Sequence, residues 1–274
     1  MGHAVSDRTF AGSIPQFYER YMVPLIFEPY AADLAARAAQ YRPSRVLEIA
    51  AGTGVVTRQL ARVLEPGADI VATDLNPAML EHAASIGTSR PVSWQVADAQ
   101  QLPFPDTAFD VVVCQFGTMF FPDKPGAFAQ ARRVLRPGGT LIFNVWDDIE
   151  HNAFAQTVTD TLALEFPHDP PRFMARTPHG YHDLSVIAQD LASGGWSTRA
   201  QFDTLTDRSR AASANEVAVA YCQGTPLRGE IEARAPQRLH QITERAAQAL
   251  ARQFGSGAVD AKMQAHVVTI SREA

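Results

Sequence analysis

Two acids and a short glycine-bearing loop are the residues of this chain whose types and spacing suit chemistry. The run Val46-Leu47-Glu48-Ile49-Ala50-Ala51-Gly52-Thr53-Gly54 puts a carboxyl group near the end of an apolar, strand-like stretch, and a second acid, Asp74, follows Gly54 by twenty residues. Glycine tolerates positive φ and has no side chain to block an approaching ligand, while the helix that follows such a loop turns its positive end toward the crevice. At this spacing an acid at the end of the next strand reaches the vicinal hydroxyls of a ribose. Taken singly, Glu48 and Asp74 each have a plainer reading as caps for nearby backbone amides; their mutual spacing favours the site. The dinucleotide pattern G-x-G-x-x-G fails, because Thr57 stands at its third position. A dinucleotide site offers amides to a pyrophosphate, whereas Glu48 repels phosphate and suits an ammonium group. The expected ligand is a nucleoside that carries an amine.

Such residues need a sheet to hold them. Between residues 45 and 147 short apolar, β-branched runs alternate with helical patterns, which is the signature of βα units and a parallel sheet. Strands are expected at 45–50, 69–73, 92–96, 109–116 and 142–146, the last introduced by the turn Pro137-Gly138-Gly139, with helices at 55–64 and 77–85. Pro77 suits the first helical position, and the Asn76 side chain is expected to cap that helix. Residues 14–40 read as helical and carry the aromatics Phe17, Tyr18, Tyr21, Phe27 and Tyr30. Beyond the core, residues 151–195 are irregular, with helices expected at 154–164 and 184–193. Two more strands are expected at 199–206 and 267–271, and helices at 214–222 and 229–254. The expected division is an N-terminal helical cover (1–41), a binding core (42–150), a lid or substrate insertion (151–196) and a C-terminal part completing sheet and cover (197–274).

With its motifs in this order, the chain resembles the class I methyltransferases dependent on S-adenosylmethionine, in the small-molecule branch akin to the ubiquinone and menaquinone methylases. Besides the first loop, the resemblance rests on Val71-Ala72-Thr73-Asp74-Leu75-Asn76-Pro77-Ala78-Met79-Leu80, on Val96-Ala97-Asp98-Ala99 with Leu102-Pro103-Phe104, on residues 109–116 and on Val134-Leu135-Arg136-Pro137-Gly138-Gly139. It covers about residues 42–147 and departs from the family at Ala50, where the first glycine is usual. It implies an α/β, Rossmann-like three-layer sandwich with a seven-stranded, mostly parallel sheet of order 3-2-1-4-5-7-6 and a helical lid. It implies S-adenosyl-L-methionine as cofactor and S-adenosyl-L-homocysteine as product. The contacts carried over are Glu48, Ala50, Gly52, Thr53 and Gly54 in the first loop, then Asp74 on the ribose with Leu75 and with Met79 on adenine. Asp98, with Ala99, is carried over to the adenine amino group, and Gln115 and Phe116 to the methionine portion. Tyr18 or Tyr21 is expected over the methionine end, since aromatic faces attract a sulfonium.

The expected activity is methyl transfer to O, N or C of a small, aromatic or quinone-like acceptor, by in-line displacement that relies on alignment and a dry site. A general base is needed only where the acceptor holds its proton tightly; His179, Tyr181 and His182 are the candidates. Their cluster with Asp183 lacks the further ligands of a zinc site, so no metal is expected. The alternatives are a non-catalytic protein binding the same cofactor, and an NAD(P)-dependent oxidoreductase, which the missing third glycine disfavours. At 274 residues, 46% hydrophobic and a net charge of −5, the chain can bury a sizeable core and has no electrostatic reason to approach nucleic acid. No apolar run reaches the length of a membrane span, and with only Cys114 and Cys222 a reducing cytoplasm suits the chain. The start Met1-Gly2-His3-Ala4-Val5-Ser6 fits a myristoylation pattern without a basic cluster to support it. The sequence does not indicate an oligomeric state.

Overall fold

A computed structural model describes residues 14–274; the Gly2 pattern lies outside the described residues. Seven strands form one sheet: β1 (Arg45–Ile49), β2 (Asp69–Asp74), β3 (Ser93–Val96), β4 (Phe109–Gln115), β5 (Leu135–Trp146), β6 (Gln201–Ala211) and β7 (Val259–Ser271). Their order is β3-β2-β1-β4-β5-β7-β6. The first five are parallel, with Glu48 of β1 facing Ala72 on one side and Val113 on the other. Backbone bonds from Arg272 to Gly139 and from Asp147 to Gln264 make β7 antiparallel to β5. The expected Rossmann-like methyltransferase sheet is therefore present. Its chain order reverses between β1 and β4, the position at which open α/β sheets bind ligands beyond the carboxyl ends of their strands.

The chain separates into two compact units. One comprises residues 28–145, 181–205 and 266–274 and holds β1 to β4 and most of β5. Central strands bury both faces, so Val46, Leu47, Val111, Val112 and Val113 are fully buried, as the continuous apolar runs require. Within this unit the helices Glu28–Gln40 and Val55–Val63 pack together, and Lys124–Val134 packs on Leu184–Ser193. Asp123 and Asp183 cap the latter two by accepting from the first-turn amides of Gly126 and of Ser185 and Val186. The other unit comprises the described part of Met1–Phe27 with Trp146–Gly180 and Thr206–Ala265. It is mostly helical, and Ala153–Glu165, Ala214–Gln223 and Leu239–Phe254 pack against one another.

Several features differ from expectation, and four have a direct physical reason. The N-terminal helical pattern is α-helical at Ile14–Phe17, widens to a π-helix at Tyr18–Phe27 and resumes at Glu28–Gln40. Pro24 lies within the wide turn, where it has no N–H for the regular ladder. The expected helix at 229–254 is two, Leu227–Arg234 and Leu239–Phe254, because Pro236 breaks it. β5 starts at Leu135, before the expected turn, since Gly138 and Gly139 exchange backbone bonds with Arg272. Asn76 occupies the N-cap of Pro77–Ile86 without a side-chain cap bond; its amide turns toward Asp74 instead, at 3.4 Å.

Candidate cofactor site

Glu48 sits on a central strand and is 1% exposed. Past Ile49 the backbone enters the left-handed region three times, at Ala50 (φ 56°), Gly52 (φ 56°) and Gly54 (φ 83°), before the helix Val55–Val63 begins. Gly54 has a second reason to be glycine: a Cβ there would lie 3.0 Å from Trp94 and 3.1 Å from the Ala83 Cβ. Ala50, where the family usually has glycine, accepts a conformation that costs an L-residue roughly 1–2 kcal/mol. Gly117 makes room for the Ala50 methyl, since a Cβ on Gly117 would fall 2.5 Å from it.

Backbone bonds lash the three acid-bearing loops together. The Ala51 amide donates to the Thr73 carbonyl at 2.9 Å, and the Ala97 amide to the Asp74 carbonyl at 3.0 Å. Asp74 Oδ2 accepts from the Gly52 amide and Oδ1 from the Asn76 amide, both at 2.8 Å. The Asn76 side-chain amide also reaches Oδ1, at 3.4 Å. Burial pushes the Asp74 carboxyl above its ordinary range, and these amides pull the other way. Met79 is 3% exposed and lies over Gly52, its Cε 3.9 Å from where a Cβ would stand. Leu75 is exposed and Ala99 buried. Asp98 Oδ1 accepts from the Gln100 amide at 2.9 Å, an arrangement that fixes the loop after β3.

Glu48 has a different environment. Thr57 donates a short hydrogen bond to its Oε2. Burial, only partly offset by Thr57 and by the more distant charge of Arg58, pushes the carboxyl up to about 8. Arg58 itself donates to the Thr53 carbonyl at 2.7 Å. Thr57, noted in the sequence only for not being glycine, is thus the residue that touches Glu48.

At the end of β4, Phe116 is also left-handed (φ 51°), and its amide donates to Asn144 Oδ1 at 2.9 Å. Its ring meets Tyr30 edge-on at 5.4 Å. Sequence reasoning missed Asn144 and Gly117. Asn144 had a signal, since it is the polar residue within Leu141-Ile142-Phe143-Asn144-Val145-Trp146 and is fully buried. The buried Thr53 Oγ1, Thr118 Oγ1 and Asn144 Nδ2 have no hydrogen-bond partner among the described residues. Two buried acids, a left-handed loop and unsatisfied polar atoms fit a polar ligand with an amine and vicinal hydroxyls.

The remaining sequence candidates fall in both units. Tyr18 stacks on Phe27 at 5.0 Å, and Tyr21 lies 5.8 Å from Phe17 with the Arg20 guanidinium 5.0 Å over its ring. His179 is 4% exposed, and its Nδ1 is 2.8 Å from the Asp147 carbonyl, which only accepts, so Nδ1 carries a proton. Those three belong to the helical unit, and the loops of Glu48 and Asp74 to the sheet unit. Tyr181 belongs to the sheet unit; its hydroxyl donates to Asp190 at 2.7 Å, Lys124 lies 4.7 Å over its ring, and burial raises its pKa. His182 beside it is half-buried. Among the described residues no group of three or more His, Cys, Asp or Glu could hold a metal ion, and no helix is long and apolar enough to cross a membrane.

A sheet of this order, with acids at the ends of β1 and β2 and a left-handed loop between, defines a Rossmann-like methyltransferase domain. The general methyltransferase-domain family matches residues 47–143. The ubiquinone/menaquinone biosynthesis C-methyltransferase UbiE of Ectopseudomonas mendocina is 41% identical over 177 residues, which cover 60% of this chain and 68% of that protein. The Stutzerimonas stutzeri protein of the same name is 42% identical over 103 residues, and there the chain spans 40% of the relative's length and the match 36% of this chain. Haemonchus contortus phosphoethanolamine N-methyltransferase 2, solved with S-adenosyl-L-methionine, shares the fold at a TM-score of 0.59 and 16% identity, over 98% of this chain and 59% of that one. The chain belongs to the class I S-adenosylmethionine-dependent methyltransferases, in the branch akin to UbiE.

Proposed function

We propose that the protein transfers a methyl group from S-adenosyl-L-methionine to O, N or C of a small-molecule acceptor in the cytoplasm. The observation that carries this reading is the pair of buried acids, Glu48 and Asp74, on loops tied by the Gly52 amide. In this reading Glu48 meets the ligand's ammonium, Asp74 the ribose hydroxyls and Asp98 the adenine amino group. Met79 packs on the base, Ala50, Thr53 and Gly54 shape the loop beneath it, and Gln115 and Phe116 bound the methionine portion. Bound cofactor supplies a methyl group already activated by the sulfonium charge. The residues of the chain need only orient it and keep water out.

Acceptor choice is assigned to the cover residues, 14–41 and 151–196, with Tyr18 and Tyr21 toward the sulfonium. Of the three base candidates His179 has the clearest chemistry: with Nδ1 protonated, the neutral ring has its lone pair on Nε2. Tyr181 is held as a donor to Asp190 and is the poorer base. Calorimetric titration tests the cofactor assignment, and absence of binding of S-adenosylmethionine and S-adenosylhomocysteine at millimolar concentration overturns it. Turnover to S-adenosylhomocysteine with phenolic, quinol and amine acceptors tests the enzyme; binding without turnover supports the non-catalytic alternative.

A further inference from the structure

Glu48 is a fully buried acid whose hydrogen bond comes from a neutral hydroxyl, and no charged partner of its own contacts it among the described residues. The groups acting on it are few. Thr57 and Arg58 come from the helix Val55–Val63, Asp74 from the end of β2 and Cys114 from β4. Arg58 favours the charged carboxylate but is held at the Thr53 carbonyl; Asp74, an acid itself, disfavours it. A carboxyl group in such surroundings stays neutral until a cation arrives. The cation lacking is the ammonium of the amine-bearing nucleoside proposed above, a reading on which this inference rests.

We propose that capture of the cofactor is coupled to proton release: Glu48 is protonated in the ligand-free protein at neutral pH and gives its proton to solvent as the ligand's ammonium docks against it. The balance is simple, since neutral carboxyl plus ammonium ligand becomes a carboxylate–ammonium pair plus one proton in the buffer. Burial supports the protonated start, holding the Glu48 carboxyl at about 8. The amine of an amino acid, beside its own carboxylate, titrates above the peptide amino terminus (about 7.7–8.0) and is charged at neutral pH. The complex holds one proton between the two groups, while the separated partners hold nearly two at low pH and nearly none at high pH. Binding therefore releases about one proton near pH 6.5, the release falls away as pH rises through the Glu48 value, and affinity rises over the same range.

The test is calorimetric titration of the full chain with S-adenosylhomocysteine in buffers of different ionisation heat, which counts protons independently of activity. Release of about one proton at pH 6.5, little release at pH 9, and a Kd rising about tenfold per pH unit below pH 7 support the coupling. Glu48→Gln, a neutral isostere of the protonated acid, abolishes the release at pH 6.5. Thr57→Val removes a bond that favours the carboxylate and moves the fall in proton release to higher pH, which keeps the test intact if the Gln variant does not fold. Binding to the wild-type protein without proton release at pH 6.5, or equal release from wild type and Glu48→Gln, overturns the proposal. Absence of binding at every pH instead overturns the cofactor assignment.

Discussion

Asp74 holds the Gly52 amide in place and, in the proposed function, takes two ribose hydroxyls as well. Replacing it with Ala removes charged hydrogen bonds worth about 1.5–3 kcal/mol. The expected outcome is a Kd for S-adenosylhomocysteine raised roughly 10- to 100-fold, checked by calorimetry, with Asp74→Asn intermediate because it retains one acceptor. Glu48 gives a prediction of the opposite kind, on stability. Its carboxyl titrates at about 8 in the folded protein against 4.5 ordinarily. Its favourable contribution is therefore complete below the ordinary value and is lost as pH rises through the folded one. Wild type should lose stability relative to Glu48→Gln between pH 5 and 8, by up to about 1.4 kcal/mol per pH unit. Urea midpoints measured across that range check it, and a pH-independent difference refutes it. Glu48 and Asp74 were legible in the sequence because their spacing follows the βα repeat. Thr57, Asn144 and Gly117 were not, because each acts on a partner distant in sequence or on another loop. Thr57 reaches Glu48, Asn144 reaches Phe116, and Gly117 yields to Ala50.

Among the elements, those read best were the ones buried on both faces. β1 and β4 gave continuous apolar runs, and their bounds are close to those expected. β7 was seen only at 267–271, though it spans Val259–Ser271. Its first half, Val259-Asp260-Ala261-Lys262-Met263-Gln264, alternates buried and open positions and so has no apolar run. The short helix Phe173–Arg176 escaped notice because its support comes from far along the chain. Glu230, 9% exposed on the helix Leu227–Arg234, accepts from the Arg172 and Phe173 amides at 2.8 and 3.3 Å and from the Arg176 guanidinium at 2.8 Å. That carboxylate ties the segment leading to His179 to the helix Leu227–Arg234. Glu230→Gln should cost about 1–3 kcal/mol and speed amide exchange at residues 172–177 while that of β1 and β2 stays unchanged. Uniform acceleration would instead indicate global destabilisation. Gly117→Ala acts on another element pair, forcing a methyl to within 2.5 Å of the Ala50 Cβ. Overpacking of this kind costs typically 1–3 kcal/mol, and the shifted loop should also weaken cofactor binding, which separates it from Glu230→Gln in a titration.

For the whole molecule, every residue proposed to touch the ammonium, ribose or adenine of the cofactor lies in the sheet unit, while Tyr18, Tyr21 and His179 lie in the helical one. The order of the sheet was implied by the family resemblance and is the order found, but the division into these two units was not legible, because each is assembled from three separate stretches of chain. A ligand that binds only the folded protein stabilises it by RT ln(1 + [L]/Kd), about 2.7 kcal/mol at a hundredfold excess over Kd. For a chain near this size, that corresponds to a rise in Tm of roughly 5–10 °C. S-adenosylmethionine and S-adenosylhomocysteine should both produce it, whereas NAD at the same concentration should not, since Thr57 and Glu48 stand where a pyrophosphate needs glycine and open amides. Exchange protection should then tell binding from selection. Cofactor alone should protect residues 48–54 and 74–76, and any further protection at 14–27 or 172–180 on adding a candidate acceptor would identify it as one the helical unit recognises. An acceptor that turns over yet leaves both segments unprotected would remove acceptor choice from that unit and return it to the loops of the sheet.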